Sequence, residues 1–330
     1  MKTKRSLSST TFIALYLTTL AGFTSCSGQE DILSPKGKIP VGITASIESE
    51  VATKATDSNY APANGDKAIY LYYKNGANTT ATEKGIFNYA SSWTADGTAS
   101  SGHQIFWDDL IAEGGKYPFF AVSPKDLNKA TESAVQQDQS SNDNFANSDL
   151  LMAFNNTTTK QGKVSLNFKH MLAKLTVKVK IDAVTTFKSS AMSILNAKKT
   201  YTVNYTSPAP TTEVPATVAV KTADTPGNLT PHTEATENSN KTQVYSIILP
   251  AQQVSSSGVK IQTSITVGSS TTETNVYTYA PTSPLALTNG THTILTLTIN
   301  GTKVELDNVT VTNWTETSTS GNITIDTPGS

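Results

Sequence analysis

Cys26 is the only cysteine in the 330-residue chain. A single thiol cannot close an internal disulfide, and zinc sites built on two or more thiolates are excluded with it. The four histidines, His103, His170, His232 and His292, are far apart and show no HExxH or other ligand spacing. His170 lies between two strand-like segments and reads as structural. No G-x-S-x-G elbow and no phosphate-binding loop is present. Asp138, Asp143 and Asp149 gather in "QQDQSSNDNFANSD" (136–149), but without the loop spacing and terminal Glu of an EF-hand, so a solvated loop is expected. Trp93, Trp107 and Trp314 are expected to be core or rim residues, since no aromatic cluster repeats as a sugar platform would. Asn-x-Thr sequons such as those at Asn78 and Asn289 follow from the abundance of Thr. No catalytic constellation, metal site or cofactor is therefore expected.

Charge narrows the partners. The net charge is −1, and Arg5 is the only arginine. Beyond it the chain has no bidentate fork for phosphate, and nucleic-acid binding is not expected.

The position of Cys26 supplies its chemistry. Lys2, Lys4 and Arg5 precede an apolar run, Thr11 to Phe23, which is too short to span a bilayer as a mature helix. Small Thr24 and Ser25 follow, then Cys26. This pattern resembles the lipobox of bacterial lipoproteins. The resemblance implies a signal peptide over 1–25, a cut between Ser25 and Cys26, and acyl chains such as palmitate on Cys26. Each acyl chain contributes about 0.8 kcal/mol per buried methylene, so two or three hold a protein on a membrane. The following Ser27-Gly28-Gln29-Glu30-Asp31 resembles the surface-export signal of Bacteroidetes lipoproteins. The expected location is the surface of the outer membrane.

The elements behind these residues read as strands. Apolar residues make up 37% of the chain and charged residues 15%, and Thr, Ser and Asn dominate the remainder. Ile39, Val41, Ile43, Ala45 and Ile47 alternate with Pro40, Gly42, Thr44, Ser46 and Glu48, the period of a half-buried strand. Pro40 and Gly42 suggest an edge position. Further strands are expected over 68–73, 117–122, 163–168, 175–181, 244–249, 259–267, 276–279, 294–299, 304–311 and 323–325. One helix is expected over Ser123–Gln137, with Ser123 as N-cap and Pro124 as first helical residue, although its apolar face of Leu127, Ala130 and Ala134 is thin. Many short strands with little helix point to an all-β chain of antiparallel sandwiches. Asp182 opens the stretch "DAVTTFKSSA", a plausible boundary.

Several segments together resemble the fimbrillin family of Bacteroidetes, the subunits of lipoprotein-derived fimbriae. They are "DLLMAFN" (149–155), "VSLNFKHMLAKLTVKV" (164–179), "YSIILPAQQV" (245–254) and "HTILTLTINGTKVELDNVTVTNW" (292–314). Phe168, His170, Ala173 and Leu175 match the family's F-x-H-x-x-A-x-L pattern. "VATKATD" (51–57) resembles the site where the family's leader strand is cut. The resemblance implies two tandem transthyretin-like β-sandwich domains, 55–181 and 182–330, after a lipid-anchored linker and removable first strand over 26–54. It also implies polymerisation with other fimbrial subunits by strand exchange. The chain departs from the family pattern at the cut: Lys54, followed by Ala55, stands where arginine-cut members carry Arg. That leaves shaft, tip and anchor roles all open.

If 39–47 is the first strand, its removal after Lys54 leaves an open sheet edge that a strand from a neighbouring copy, from Val304–Val311 or Ile323–Ile325, fills head to tail. The alternative is a monomeric surface lipoprotein that binds glycans; a host surface or glycan is a further partner class either way. Replacing Cys26 by Ala is expected to abolish incorporation of labelled palmitate into the protein made in its native cells. Undiminished label would remove the anchor.

Overall fold

Alternating Val, Ile, Tyr and Thr form strands through most of the described residues, as expected from their preference for pleated, half-buried surfaces. A computed structural model describes residues 38–47, 68–75, 78–89, 92–96, 104–112, 114–127, 132–181, 187–205, 216–237, 241–267, 274–300 and 303–314. All belong to the unit Lys38–Ser330. In chain order the strands are β1 (Ile43–Ile47), β2 (Ile69–Asn75), β3 (Asn78–Tyr89), β4 (Trp93–Ala95), β5 (Phe119–Ser123), β6 (Glu132–Ala134) and β7 (Leu151–Asn155). There follow β8 (Val164–His170), β9 (Ala173–Ile181), β10 (Phe187–Ala197), β11 (Thr200–Tyr205), β12 (Ala216–Val220), β13 (Gly227–Leu229) and β14 (His232–Thr233). The last are β15 (Thr242–Leu249), β16 (Gln252–Val254), β17 (Lys260–Val267), β18 (Thr274–Tyr279), β19 (Leu285–Leu287), β20 (Thr291–Asn300) and β21 (Lys303–Asn313). One α-helix is described, α1 (Asn142–Ser148).

The first sheet has seven strands in the order β1-β8-β7-β5-β2-β3-β4. Its centre is apolar on both faces. Ile69, Leu71, Tyr73, Phe119, Ala121, Leu151 and Ala153 point into one core, together with Val41, Ile43, Val164, Leu166, Phe168 and Trp107. The alternate residues Tyr72, Phe120, Val122 and Met152 point into a second core shared with later strands. This two-faced burial explains why "YPFFAV" shows no alternation: a strand covered on both sides has no wet face to mark its period. Toward the β1 border the sheet becomes one-faced. In β8, Val164, Leu166, Phe168 and His170 are buried while Ser165, Asn167 and Lys169 are exposed.

The second core lies among a five-stranded sheet, β14-β15-β9-β20-β21, a four-stranded sheet, β13-β10-β17-β18, and two smaller ones, β12-β11-β6 and β16-β19. β9 is central in the five-stranded sheet, antiparallel to β15 and parallel to β20. The expected break after Ile181 lies one strand beyond the step from the seven-stranded to the five-stranded sheet, which falls between β8 and β9 at Met171 and Leu172, while β6 already pairs with the later β11. Lys178 and Lys180 gave β9 a wet-faced pattern that hid this membership. Among the described strands the ladders are antiparallel except for β1–β8 and β9–β20.

The helix expected over Ser123–Gln137 does not form. Ser123 closes β5, its hydroxyl donates to Ala68 O at 2.8 Å, and the Ser123–Pro124 peptide is cis. Its side chain reaches across the sheet. The helix lies instead at 142–148, where Ser141 Oγ accepts from Asn144 N at 3.2 Å. This is inside the segment expected to be a solvated loop. Gln139, from the same segment, is fully buried. Its Nε2 donates to Ile248 O at 2.9 Å and its Oε1 accepts from Ile248 N at 3.0 Å. One side-chain amide thus substitutes for a strand at the edge of β15. Gln139→Leu keeps the bulk and leaves both backbone groups unsatisfied. It is expected to lower stability by about 1–3 kcal/mol per orphaned group in urea unfolding.

Candidate subunit interface

β1 is a border strand. It pairs parallel with β8, Ile43 opposite Val164 and Ile47 opposite Phe168. Val41, Ile43 and Ala45 are buried, and Ile39 and Ile47 pack partly against the same core. All five residues expected on one face of this strand share that core. Just before β1 the chain is also held on its other side: Val41 N donates to Ile105 O at 2.8 Å and Trp107 N to Ile39 O at 2.9 Å. Lys38 Nζ lies 2.6 Å from Asp109 Oδ1 and 5.7 Å above the Phe106 ring. Next to it, Lys160 Nζ bonds Asp108 Oδ1 at 2.8 Å and holds the Asp108 carboxyl below the usual carboxylate range. Exposed pairs of this kind contribute little, so β1 depends on its apolar face and its ladder. Beyond Val41 its outer edge carries no ladder among the described residues.

Two further borders approach each other. β18 closes the four-stranded sheet and β21 the five-stranded one. On β21, Val304, Leu306, Val309 and Val311 stand opposite Ile299, Leu297, Leu295 and Thr293 of β20, so all four share the inward face. Yet Leu306 is 42% and Val311 53% exposed. Asp307 is an extra residue between Leu306 and Asn308, a bulge in the ladder.

The remaining expected residues do not converge on a site. Ser25, Cys26, Lys54, Ala55, His103 and Ile323–Ile325 lie outside the described residues. His292 Nε2 lies 2.8 Å from Thr176 Oγ1, whose other neighbour is Ser246 Oγ at 2.8 Å. His232 stacks on Phe145, with ring centroids 5.2 Å apart. Asp138 Oδ1 accepts from Ser140 N, and the Ser140 hydroxyl first, with this backbone bond second, holds the carboxyl below the usual carboxylate range. Asp143 is in the first turn of α1, and Asp149 follows its last. Among the described residues no three metal-binding side chains come together. Trp107 and Trp314 are buried, and Trp93 is half-buried against Tyr89. Trp314 stacks on His170, a contact between residues 144 positions apart that no local pattern announces.

Comparison with known proteins decides the class. The model of a family described as fimbrillin-like matches residues 53–314. The chain belongs to the fimbrillin-like family. It is a fimbrial structural and adhesion family, and its members are not known as enzymes. Among solved structures, a candidate cell adhesion protein from Bacteroides uniformis is 21% identical with a TM-score of 0.52, covering 83% of this chain and 99% of that one. Another from Bacteroides ovatus is 15% identical with a TM-score of 0.57, covering 84% of this chain and 99% of that one. Both share the fold. No curated protein matches the sequence.

The matched segment opens at residue 53, after β1. A strand held mainly by one apolar face opens locally when that face is trimmed. Ile43→Ala is expected to cost about 2–5 kcal/mol. Hydrogen exchange should speed up at the β1 amides paired with β8, while those of β5, buried on both faces, keep their protection.

Proposed function

We propose that the protein is a fimbrial subunit, brought to the outer membrane through acylated Cys26 and, once cut free of that segment, assembled with other subunits by exchange of its first strand. The observation that carries the reading is the place of β1: a border strand with its apolar face in the core and its outer edge unladdered past Val41. Proteolysis between Lys54 and Ala55 would free the segment that contains it. Val164, Leu166 and Phe168 would then line an open groove, and the edge of β8 would present its backbone groups to an incoming strand. The direction of pairing favours replacement. β1 runs parallel to β8, and parallel ladders are slightly less stable per residue than antiparallel ones. An antiparallel donor from a neighbouring copy would gain on the strand it replaces. The contact is head to tail, so it propagates into a filament.

The glycan-binding alternative needs exposed aromatic platforms, and two of the three tryptophans are buried.

Protease shaving of intact cells, followed by mass and N-terminal analysis of the released protein, tests the reading. A mature chain starting at Ala55 and running as a polymer ladder is the expected result. Lys54→Ala should retain β1 and reduce the ladder to monomer. A start at Cys26 with polymers unchanged in that variant would eliminate the cut.

A further inference from the structure

Trp314 directly follows the last described strand, and side chains from β8 and β9 meet on its indole. One face stacks on the imidazole of His170 at the end of β8, with centroids 3.8 Å apart and planes at 6°. Trp314 is 6% exposed, and the His170 side chain 1%. His170 Nδ1 lies 2.9 Å from Asp149 Oδ2, and Asp149 Oδ1 accepts from Leu150 N at 2.8 Å, so the imidazole is fixed from behind. Lys174 Nζ of β9 is 5.8 Å from the indole centroid, within cation–π range. Trp314 N donates to Gly290 O at 2.8 Å, and Gly290 N donates to Leu172 O at 2.8 Å. Gly290 has φ +72°, and a Cβ there would stand 3.3 Å from His170 O. Glycine is needed at this turn on both counts.

The strand leading to this plug is held differently. Val304 and Val309 alone pack partly against the core; Leu306, Val311 and the polar residues between are exposed. The bulge at Asp307 interrupts the ladder. β21 is thus pinned by one buried aromatic at its end more than by burial along its length, and its apolar residues are underused where they lie.

We propose that Trp314 is a latch. Seated against His170, it keeps β21 on β20. Unseated, it lets β21 peel away and offers the face carrying Val304, Leu306, Val309 and Val311 to the open sheet border of a second copy. The second half of this proposal rests on assembly by strand exchange; the first half does not.

Hydrogen exchange on the purified full chain separates them. In Trp314→Ala, the β21 amides should exchange at least about tenfold faster, while the β5 and β7 amides keep their rates, as expected for a local opening. Trp314→Phe keeps a ring for His170 to stack on and should restore most of the protection. Uniformly faster exchange along the whole chain, or no change in β21, overturns the latch. Sizing the same Trp314→Ala protein, with its N-terminal segment cut off, tests the partner. Larger assemblies than the wild type forms support a second copy as recipient of β21. A monomer whose β21 is nonetheless open overturns that recipient and leaves the latch standing.

Discussion

A strand at the border of a sheet has one row of backbone groups with no ladder, and a strand buried on both faces cannot leave without opening two cores. These two constraints divide the chain into parts that must stay and parts that can move. Every residue of β5 is buried, and β2 and β7 alternate between two cores. Large apolar side chains contribute about 1.5–3 kcal/mol each when fully buried, so removing β2 or β5 would cost a sum comparable with the 5–15 kcal/mol by which a whole domain is normally stable. β1 contributes one large buried side chain, Ile43, and one small one, Ala45, with Val41 buried just before it. β21 contributes less. The borders are thus where a strand can leave without opening two cores, and the family to which the chain belongs implies association with other fimbrial subunits.

Membrane attachment is a separate matter from the fold. Among the described residues no helix is long and apolar enough to cross a bilayer. The anchor proposed at Cys26 needs none, because acyl chains supply the apolar surface that a spanning helix otherwise would. Neither end of the proposed assembly cycle, acylation at Cys26 or cutting at Lys54, then depends on a side chain inside either core.

Legibility in the sequence followed wetness. Strands with one dry and one wet face, β1, β8, β9 and β20, announce themselves by period two, and their predicted ranges lie within a few residues of the observed ones. β3 and β10 escaped notice. "NTTATEKGIFNY" and "FKSSAMSILNA" carry too few apolar residues at regular spacing, and their strand form comes from the neighbours that ladder onto them. The expected helix failed because a cap signal is only a local option: Ser123 is the buried last residue of β5, held in the sheet by its bond to Ala68 O. Gln139 and the His170–Trp314 stack were invisible for a different reason. Each is a contact across more than a hundred residues, and a single sequence holds no record of which distant partner a buried polar or aromatic group meets. What did carry over was the resemblance of the segments around Phe168, His170 and Trp314 to fimbrillins, which tied the two ends of that stack to one family before their contact was seen.

One strand connects the two movable borders. β8 receives β1 along its edge, through Ile43 opposite Val164 to Ile47 opposite Phe168. The same strand ends in His170, which seats Trp314. Its alternation of Val164, Leu166, Phe168 and His170 therefore serves two neighbours: the first three residues form the floor under β1, and the fourth holds the end of β21. The N-terminal strand and the C-terminal latch are 270 residues apart in sequence, from Thr44 to Trp314, yet both rest on seven consecutive residues. In the proposed assembly, a rigid β8 would let a subunit keep one fixed surface while both of its terminal strands change partners. β7 supplies that rigidity, since it pairs with β8 on the side away from β1 and is itself packed into both cores.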